Sequence, residues 1–190
     1  MVVVAHRNRV DPFGDITSDP YRGTWMGNRG GTFDVERRRW ASKAWIYCHL
    51  EFKDRNRVFR DPSRKYTELF FFDEAVALAA GHRPCGECQH HRLAEFKAAT
   101  LGVDARVGEI DDILHRQRLG PRDVATVGSL PPGTFVDGPM LLLDDHALAW
   151  SPDGGYTQVE APSADTAVEV LTPALIRTAL ADGFSVTVRE

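Results

Sequence analysis

The chain has few cysteines and no apolar run long enough to cross a membrane. Its 190 residues include 3 cysteines, an odd number that argues against a disulfide framework and for a metal-binding or catalytic role in a reducing compartment. No apolar run approaches the roughly 18 residues of a membrane span. The opening Met-Val-Val-Val-Ala-His-Arg is too short in its apolar part for a signal peptide. We therefore expect a cytoplasmic protein with no membrane partner.

Several motifs that would identify a reaction are also missing. The chain has no dinucleotide-binding fingerprint, no serine nucleophile elbow, no HExxH and no recognisable helix-turn-helix. The segment 27–31, Gly-Asn-Arg-Gly-Gly, lacks the spacing and the ending of a phosphate-binding P-loop. A reaction must therefore be inferred from other residues.

Two of the cysteines form a CxxC pair, Cys85 and Cys88, and the third is Cys48. A CxxC turn can direct two thiolates toward one ion at about 2.3 Å each, so these three residues are candidate ligands of Zn²⁺. Three interpretations stay open at this point. The cysteines are unrelated buried residues, ligands of a structural zinc ion, or ligands of a zinc ion with a functional role.

Local patterns predict an α+β fold. With 43% apolar residues the chain can bury a core without needing a metal to fold. Turn and loop signals dominate the first 40 residues, and alternation from Ile46 onward predicts a strand within 44–52 that carries Cys48. Predicted helices cover 74–80, with Asp73 as N-cap and Gly81 beyond its end, then the CxxC to about residue 100, burying Leu93 and Phe96, and 109–119.

The pattern changes after residue 120. Three prolines and three glycines in 120–133 indicate a linker. Short strands are predicted at 134–136, 140–143, 147–150 and 156–159, with a hairpin turn at 153–155. A strand at 167–171, a helix with Thr172 as cap and Pro173 at its first position, and a strand at 184–189 follow. Residues 121–190 are thus predicted to form a small annex of antiparallel strands and a helix. Because the annex contains Trp150 and Tyr156, it is also a candidate homodimer surface.

A longer stretch around the cysteines resembles a known family. Tyr47-Cys48, the apolar run Leu69 to Phe72, and Ala-Ala-Gly-His-Arg-Pro-Cys-Gly-Glu-Cys at 79–88 resemble the zinc-binding domain of Ada-type methyl-phosphotriester repair proteins over residues 47–92. The resemblance implies an Ada-like zinc-binding domain, which we place at 1–120, and DNA as the partner. It also implies that Cys48 is both a zinc ligand and the cysteine that accepts the alkyl group.

The resemblance leaves the fourth zinc ligand open. The family has its remaining ligand four residues after the acceptor cysteine, and this chain has Phe52 there, which cannot bind zinc. His90 and His91 follow the CxxC closely and are the first candidates. His49 neighbours Cys48 but points to the opposite face of a strand. The remaining candidates for the fourth ligand are a water molecule and the side chains of His6, His82 and His115.

Asp111, His115 and Arg118 are spaced to lie on one face of the predicted third helix. A carboxylate one turn from an imidazole can orient it as a general base, so Asp111 and His115 are candidate catalytic residues. The alternative is a solvated helix face with local charge pairs.

Positive charge is concentrated in the first half of the chain. The net charge is −4; residues 1–100 hold 17 Lys and Arg against 13 acidic residues (+4), and residues 101–190 hold 6 against 14 (−8). This asymmetry favours an anionic partner for the first half, and arginine side chains match phosphate groups. A solvated basic surface is the alternative. The predicted nucleic-acid contacts are Arg29, Arg37, Arg38, Arg39, Arg55, Arg57 and Arg83.

Three functional hypotheses follow. The first is a zinc-binding protein that binds or acts on DNA, with alkyl-damage repair through zinc-bound Cys48. The second is a zinc-dependent hydrolase or nuclease that uses a metal-bound water assisted by His115 and Asp111. The third is a structural zinc domain whose annex binds another protein.

Overall fold

The computed structural model describes residues 7–53 and 65–189, which form an α+β fold with four α-helices and three sheets. The helices are α1 (Glu74–Ala79), α2 (His90–Ala98), α3 (Val107–Leu119) and α4 (Ala174–Ala181). The strands are β1 (Arg9–Val10), β2 (Ile16–Thr17), β3 (Trp25–Asn28), β4 (Ile46–His49), β5 (Leu69–Phe71), β6 (Arg83–Pro84), β7 (Val124–Thr126), β8 (Phe135–Val136), β9 (Met140–Leu142), β10 (Ala147–Ser151), β11 (Gly155–Val159) and β12 (Ala167–Glu169). Within these ranges no helix has the length and apolar character that a bilayer crossing requires.

The largest sheet has six strands in the order β2-β1-β5-β3-β4-β6. Strand β3 pairs antiparallel with both β5 and β4, and β6 runs parallel to β4 at the edge. The sequence pattern indicates mostly loop in the first 40 residues, which is wrong for β3. Gly27 and Asn28 are poor strand formers, so the conformation of this segment is decided by pairing on both of its edges.

Helix α1 lies between two hydrophobic clusters, and all six of its residues are buried. Its start and end are as predicted: the Asp73 side chain accepts the Val76 N–H at 2.9 Å, and Gly81 follows with a φ of 76°. Leu78 packs into the first cluster, with the six-stranded sheet and α3. Val76 packs into the second cluster, with Phe135 of β8. The helix is therefore the shared layer between the two sides of the molecule.

The hydrophobic core does not divide at residue 120. Ile176 and Leu180 of α4 pack in the same cluster as Tyr47 and Phe71 of the six-stranded sheet. The second sheet has the order β11-β10-β9-β8, as the predicted short strands suggest, and it packs against the other side of α1. The predicted boundary between a 1–120 domain and a 121–190 annex thus does not coincide with a boundary between cores.

Two other predicted elements differ from the structure. Helix α2 begins at His90, after the CxxC rather than within it, although Leu93 and Phe96 are buried as predicted. The predicted linker 120–133 contains β7, which pairs with β12. Strand β7 forms through backbone hydrogen bonds to β12, and the Cys85 N–H of the CxxC turn donates to the distant Tyr47 carbonyl. Local sequence signals do not report such partners.

The end of the chain also departs from the prediction. Residues 184–189 form no strand; instead the N–H groups of Thr187 and Arg189 donate to Glu74 Oε2 and Asp73 Oδ2. Thr172 does not cap α4, because its hydroxyl accepts the Phe135 N–H at 2.8 Å. The bonds from Thr187 and Arg189 attach the C-terminal segment to the start of α1.

We predict that Gly27→Ala destabilises the six-stranded sheet. A Cβ at this position would lie 2.3 Å from the carbonyl oxygen of Ile46 and 2.6 Å from the ring of Phe71, so β3 would have to shift. The expected loss in the free energy of unfolding is about 1–3 kcal/mol, measured by urea denaturation. Gly108→Ala is the control, because a Cβ there meets nothing within 4 Å and alanine favours the helix. Equal losses in both variants would contradict this packing.

Candidate metal centre

Cys48 lies on β4, with its side chain on the face opposite to that of its neighbour Tyr47. Side chains alternate along a strand, so Tyr47 enters the main core, while Cys48 packs with Met26, its partner in register on β3. Only 8% of Cys48 is exposed. The strand therefore places one sulfur in a second, small apolar cluster on the outer face of the sheet.

The CxxC turn reaches Cys48 because β6 runs parallel to β4. Pro84 is in register with Tyr47, and the Cys85 N–H donates to the Tyr47 carbonyl at 3.0 Å. The same carbonyl accepts the Gln89 Nε2–H at 2.7 Å, and the Gln89 N–H donates back to the Cys85 carbonyl at 3.1 Å. The turn between Cys85 and Gln89 is thus fastened to β4 at both of its ends.

The ligand atoms of Cys48, Cys85 and Cys88 all lie within 4.8 Å of one another. In a tetrahedral zinc site with Zn–S distances of about 2.3 Å the sulfurs are about 3.8 Å apart, so this spacing fits a single metal ion. All three cysteines are free thiols. In residues 7–53 and 65–189 the group contains no fourth His, Cys, Asp or Glu side chain. The three cysteines are therefore placed to hold one metal ion.

The three thiols share protons unequally. Hydrogen bonds from Cys48 and Cys88 lower the pKa of Cys85 strongly, and the Glu87 N–H donates to its sulfur at 3.4 Å. Hydrogen bonds with Cys85 and Cys88, followed by burial, raise the pKa of Cys48 far above its ordinary value. The hydrogen bond with Cys48 lowers the pKa of Cys88. The hydrogen bond with Cys85, together with burial, raises it by more, so the pKa of Cys88 is raised overall. A cation bound by the three sulfurs would favour the thiolate form of each.

The surroundings of the sulfurs are apolar on one side and open on the other. Partly buried side chains pack around them, namely Ile46, Leu50, Tyr66 and Phe70. Cys88 is half-buried, and Gly86 and Glu87 of the turn are exposed. The cluster therefore reaches the surface at the CxxC turn, where a fourth ligand or a reacting molecule has access.

The structure does not bring His90 and His91 to the sulfurs. Both are exposed at the start of α2, their rings 4.0 Å apart, and neither joins the cysteine group. The sequence predicted a helix start within the CxxC that would turn them toward the ion; instead the helix begins after the turn. As ligands of the metal in this arrangement they are not supported.

Asp111 and Arg83 form a buried ion pair rather than catalytic or phosphate-binding groups. The Arg83 guanidinium donates to both Asp111 oxygens, at 2.8 and 2.9 Å, and to the Pro84 carbonyl at 3.0 Å. Arg83 is 5% and Asp111 8% exposed, so neither is available for the predicted roles. The pair ties the strand that leads into the CxxC turn to α3.

His115 lies away from the cysteine group and packs edge-on against Trp40, with ring centroids 5.6 Å apart. Burial and the positive charges of Arg118 and Lys43 lower its pKa. Because both oxygens of Asp111 bind Arg83, the predicted pairing in which Asp111 orients His115 does not form in this structure.

The predicted basic surface is reduced by the burial of Arg29. Arg29 is 0% exposed and donates to His82 Nε2 at 3.2 Å and to the carbonyls of Gly14 and Arg39, so it cannot reach a nucleic acid. Arg37, Arg38 and Arg39 are exposed. Two of them form surface ion pairs, Arg37 with Asp34 at 3.5 Å and Arg39 with Asp15 at 2.7 Å. Arg55 and Arg57 lie outside the described residues.

The sequence pattern does not predict the hydrogen bonds that hold the strand and the helix next to the cysteines. Tyr47 donates to the buried Glu74 carboxylate at 2.6 Å, and Arg92 of α2 binds the same carboxylate at 2.8 Å. Gln89 was not singled out either, although its position directly after the CxxC is a usable signal. The Tyr47–Glu74 pair, 27 residues apart, has no local signal in the sequence.

Comparisons of the chain with protein-family models, with curated proteins and with solved structures gave no match. The Ada-type resemblance therefore remains a hypothesis that rests on the residues themselves.

We predict that the wild-type protein binds one equivalent of a thiophilic metal, and that Cys48→Ser, Cys85→Ser and Cys88→Ser each weaken binding severely. His90→Ala and His91→Ala should leave the metal content unchanged, because these side chains are outside the cysteine group. Metal content by mass spectrometry, and the thiolate charge-transfer absorption of the Co²⁺ form, report both results. Loss of metal from either histidine variant would show that the site includes a fourth protein ligand.

We also predict that Asp111→Ala is strongly destabilising. It leaves the buried Arg83 without its carboxylate, a change that typically costs about 3–5 kcal/mol. Asp112→Ala is the matched control, because Asp112 pairs with Lys43 at the surface, where ion pairs contribute little. Urea denaturation of both variants checks the difference. A catalytic role for Asp111 would instead give a folded, stable and inactive variant.

Proposed function

We propose that this protein binds Zn²⁺ through Cys48, Cys85 and Cys88. The observation that carries the proposal is the mutual approach of their three sulfur atoms within 4.8 Å. Thiolate ligands select soft or borderline metals over Mg²⁺ and Ca²⁺, and tetrahedral thiolate sites are typical of zinc. When bound, Zn²⁺ keeps these sulfurs deprotonated at neutral pH. With three ligands from the described residues, the fourth position is left for water or another ligand.

We infer that Cys48 is the reacting sulfur, because the Ada-type resemblance places the alkyl-accepting cysteine at this position. The Glu87 N–H donates to the sulfur of Cys85 at 3.4 Å, and such a bond withdraws negative charge from a thiolate.

The reaction that this supports is alkyl transfer from a phosphotriester in DNA to Cys48. The sulfur forms a bond to the alkyl carbon, the carbon–oxygen bond of the triester breaks, and the phosphate oxygen keeps the electron pair. A phosphodiester and a thioether result, so no oxidant or further reactant is needed and each chain reacts once. The choice of DNA rests on the Ada-type resemblance and on the exposed Arg37 and Arg38. Their contribution to binding is a proposal.

The hydrolase hypothesis has less support. It requires Asp111 and His115 beside a metal-bound water, whereas Asp111 is bound to Arg83 and His115 packs on Trp40. A structural zinc site is the remaining alternative, and it differs from the proposal in leaving Cys48 unreactive.

We predict a single methyl group on Cys48 after the zinc-loaded protein is incubated with an oligonucleotide that carries one methyl phosphotriester. Peptide mapping by mass spectrometry locates the adduct, and repair of the oligonucleotide is measured in parallel. Cys48→Ser should abolish transfer. Cys88→Ala tests the dependence on metal, because it removes a ligand and should stop transfer while Cys48 is still present. A fully zinc-loaded protein without an adduct would favour the structural alternative, and an adduct on Cys88 would refute the assignment of the nucleophile.

A further inference from the structure

A cavity of about 390 Å³ lies beside Trp45, the residue directly before β4. Cys48 is near the opposite end of this strand. The walls of the cavity come from the Phe13–Gly14 loop, Trp40 and Trp45, the last residues of α3, and the first residues of α4. This volume is in the range of pockets that bind small organic molecules. The cavity is thus a second candidate site, separate from the cysteines.

The cavity contains an arginine, Arg118, that forms no ion pair with a carboxylate within residues 7–53 and 65–189. Arg118 donates to the backbone carbonyls of Gly81 and Lys43, at 2.6 and 2.8 Å, and its guanidinium carbon lies 4.2 Å from the ring centroid of Trp45. Its buried Nε–H has no partner in the part of the chain that the structure describes. Burial lowers its pKa to about 9, which still leaves it charged at neutral pH.

A second buried arginine, Arg29, contacts the same tryptophan ring. The Arg29 guanidinium carbon is 3.8 Å from the centroid of the same Trp45 ring, and its hydrogen bonds go to His82 and to two backbone carbonyls. Burial, followed by repulsion from Arg118 and Arg39, lowers the pKa of Arg29. Two cations held this close repel each other, and an anion in the cavity would relieve that repulsion.

The rim of the cavity adds further positive groups. Arg122 stacks on Phe13 and pairs with Glu169 at 2.9 Å, and Arg39 pairs with Asp15 at 2.7 Å. Both pairs are partly exposed, and such pairs cost little to exchange for a ligand. Pro173 and Ala174 also line the cavity, so the positive end of the α4 dipole faces it. The lining has three arginines against one carboxylate, that of Asp123, which pairs with Arg177, so its charge favours an anionic group.

A flat aromatic surface lies beside these charges. Trp40 is half-buried and lines the cavity, with its ring centroid 5.9 Å from that of Trp45. Aromatic side chains bind planar heterocycles by stacking. We propose that the cavity binds a nucleoside monophosphate, with the phosphate at Arg118 and Arg122 and the base against Trp40.

The test is a titration of the full chain with AMP, GMP, CMP and UMP, followed by tryptophan fluorescence and calorimetry. Inorganic phosphate and adenosine are titrated separately, so that the contributions of the anion and the ring are distinguished. We expect at least one nucleotide to bind, and to bind about tenfold or more tightly than phosphate or adenosine, because charge-assisted hydrogen bonds and stacking then act together. Binding of no nucleotide, or equal binding of adenosine, would overturn the proposal.

Variants locate the site. Arg122→Gln and Trp40→Ala should each weaken nucleotide binding by about tenfold. Both residues are partly exposed, and we expect both variants to fold. Arg118→Gln should weaken it further. Arg116→Gln is the matched control, because Arg116 is exposed on the same helix and does not line the cavity. Unchanged affinity in both Arg122→Gln and Trp40→Ala would refute this location. Cys85→Ser should retain nucleotide binding, so this outcome is independent of the metal centre.

Discussion

The buried carboxylate of Glu74 joins the segments that surround the candidate metal centre. It accepts hydrogen bonds from Tyr47, Arg92 and the N–H of Thr187, at 2.6, 2.8 and 2.7 Å. Tyr47 precedes Cys48, Arg92 lies on the helix after the CxxC, and Thr187 belongs to the C-terminal segment. Because a buried carboxylate is stable only when it is paired, these segments are held together at the start of α1. Burial, and then the charge of Glu74, raises the pKa of Tyr47, which therefore remains a protonated donor.

A second buried ion pair also holds the segment that carries two of the cysteines. Arg83 and Asp111 attach the approach to the CxxC turn to α3, while the Tyr47 carbonyl fixes the turn to β4 through Cys85 and Gln89. The turn therefore has little freedom, and a metal ion would meet sulfur atoms that are already close. Preorganised ligands lose less conformational entropy when they bind, which favours binding.

The sequence predicts features that depend on neighbouring residues. The Asp73 cap, Gly81 and the four-stranded sheet follow from caps, glycine conformation and alternation, and the approach of three sulfurs follows from the CxxC spacing together with a strand at Cys48. The sequence pattern gives wrong predictions for features that depend on residues distant in the chain. Strand β3, the start of α2 and the burial of Arg29 depend on partners from other parts of the chain.

The sequence by itself determines the chemical nature of the candidate centre, because Cys48, Cys85 and Cys88 are the only thiols in the chain. The tertiary structure decides which other residues take part. It places Asp111 and Arg83 in an ion pair, leaves His90 and His91 on the surface, and collects Arg29 and Arg118 around Trp45. The physical reason is the cost of burying charge: a charged side chain that folding carries into the interior needs a partner, and that partner is set by the packing of distant elements.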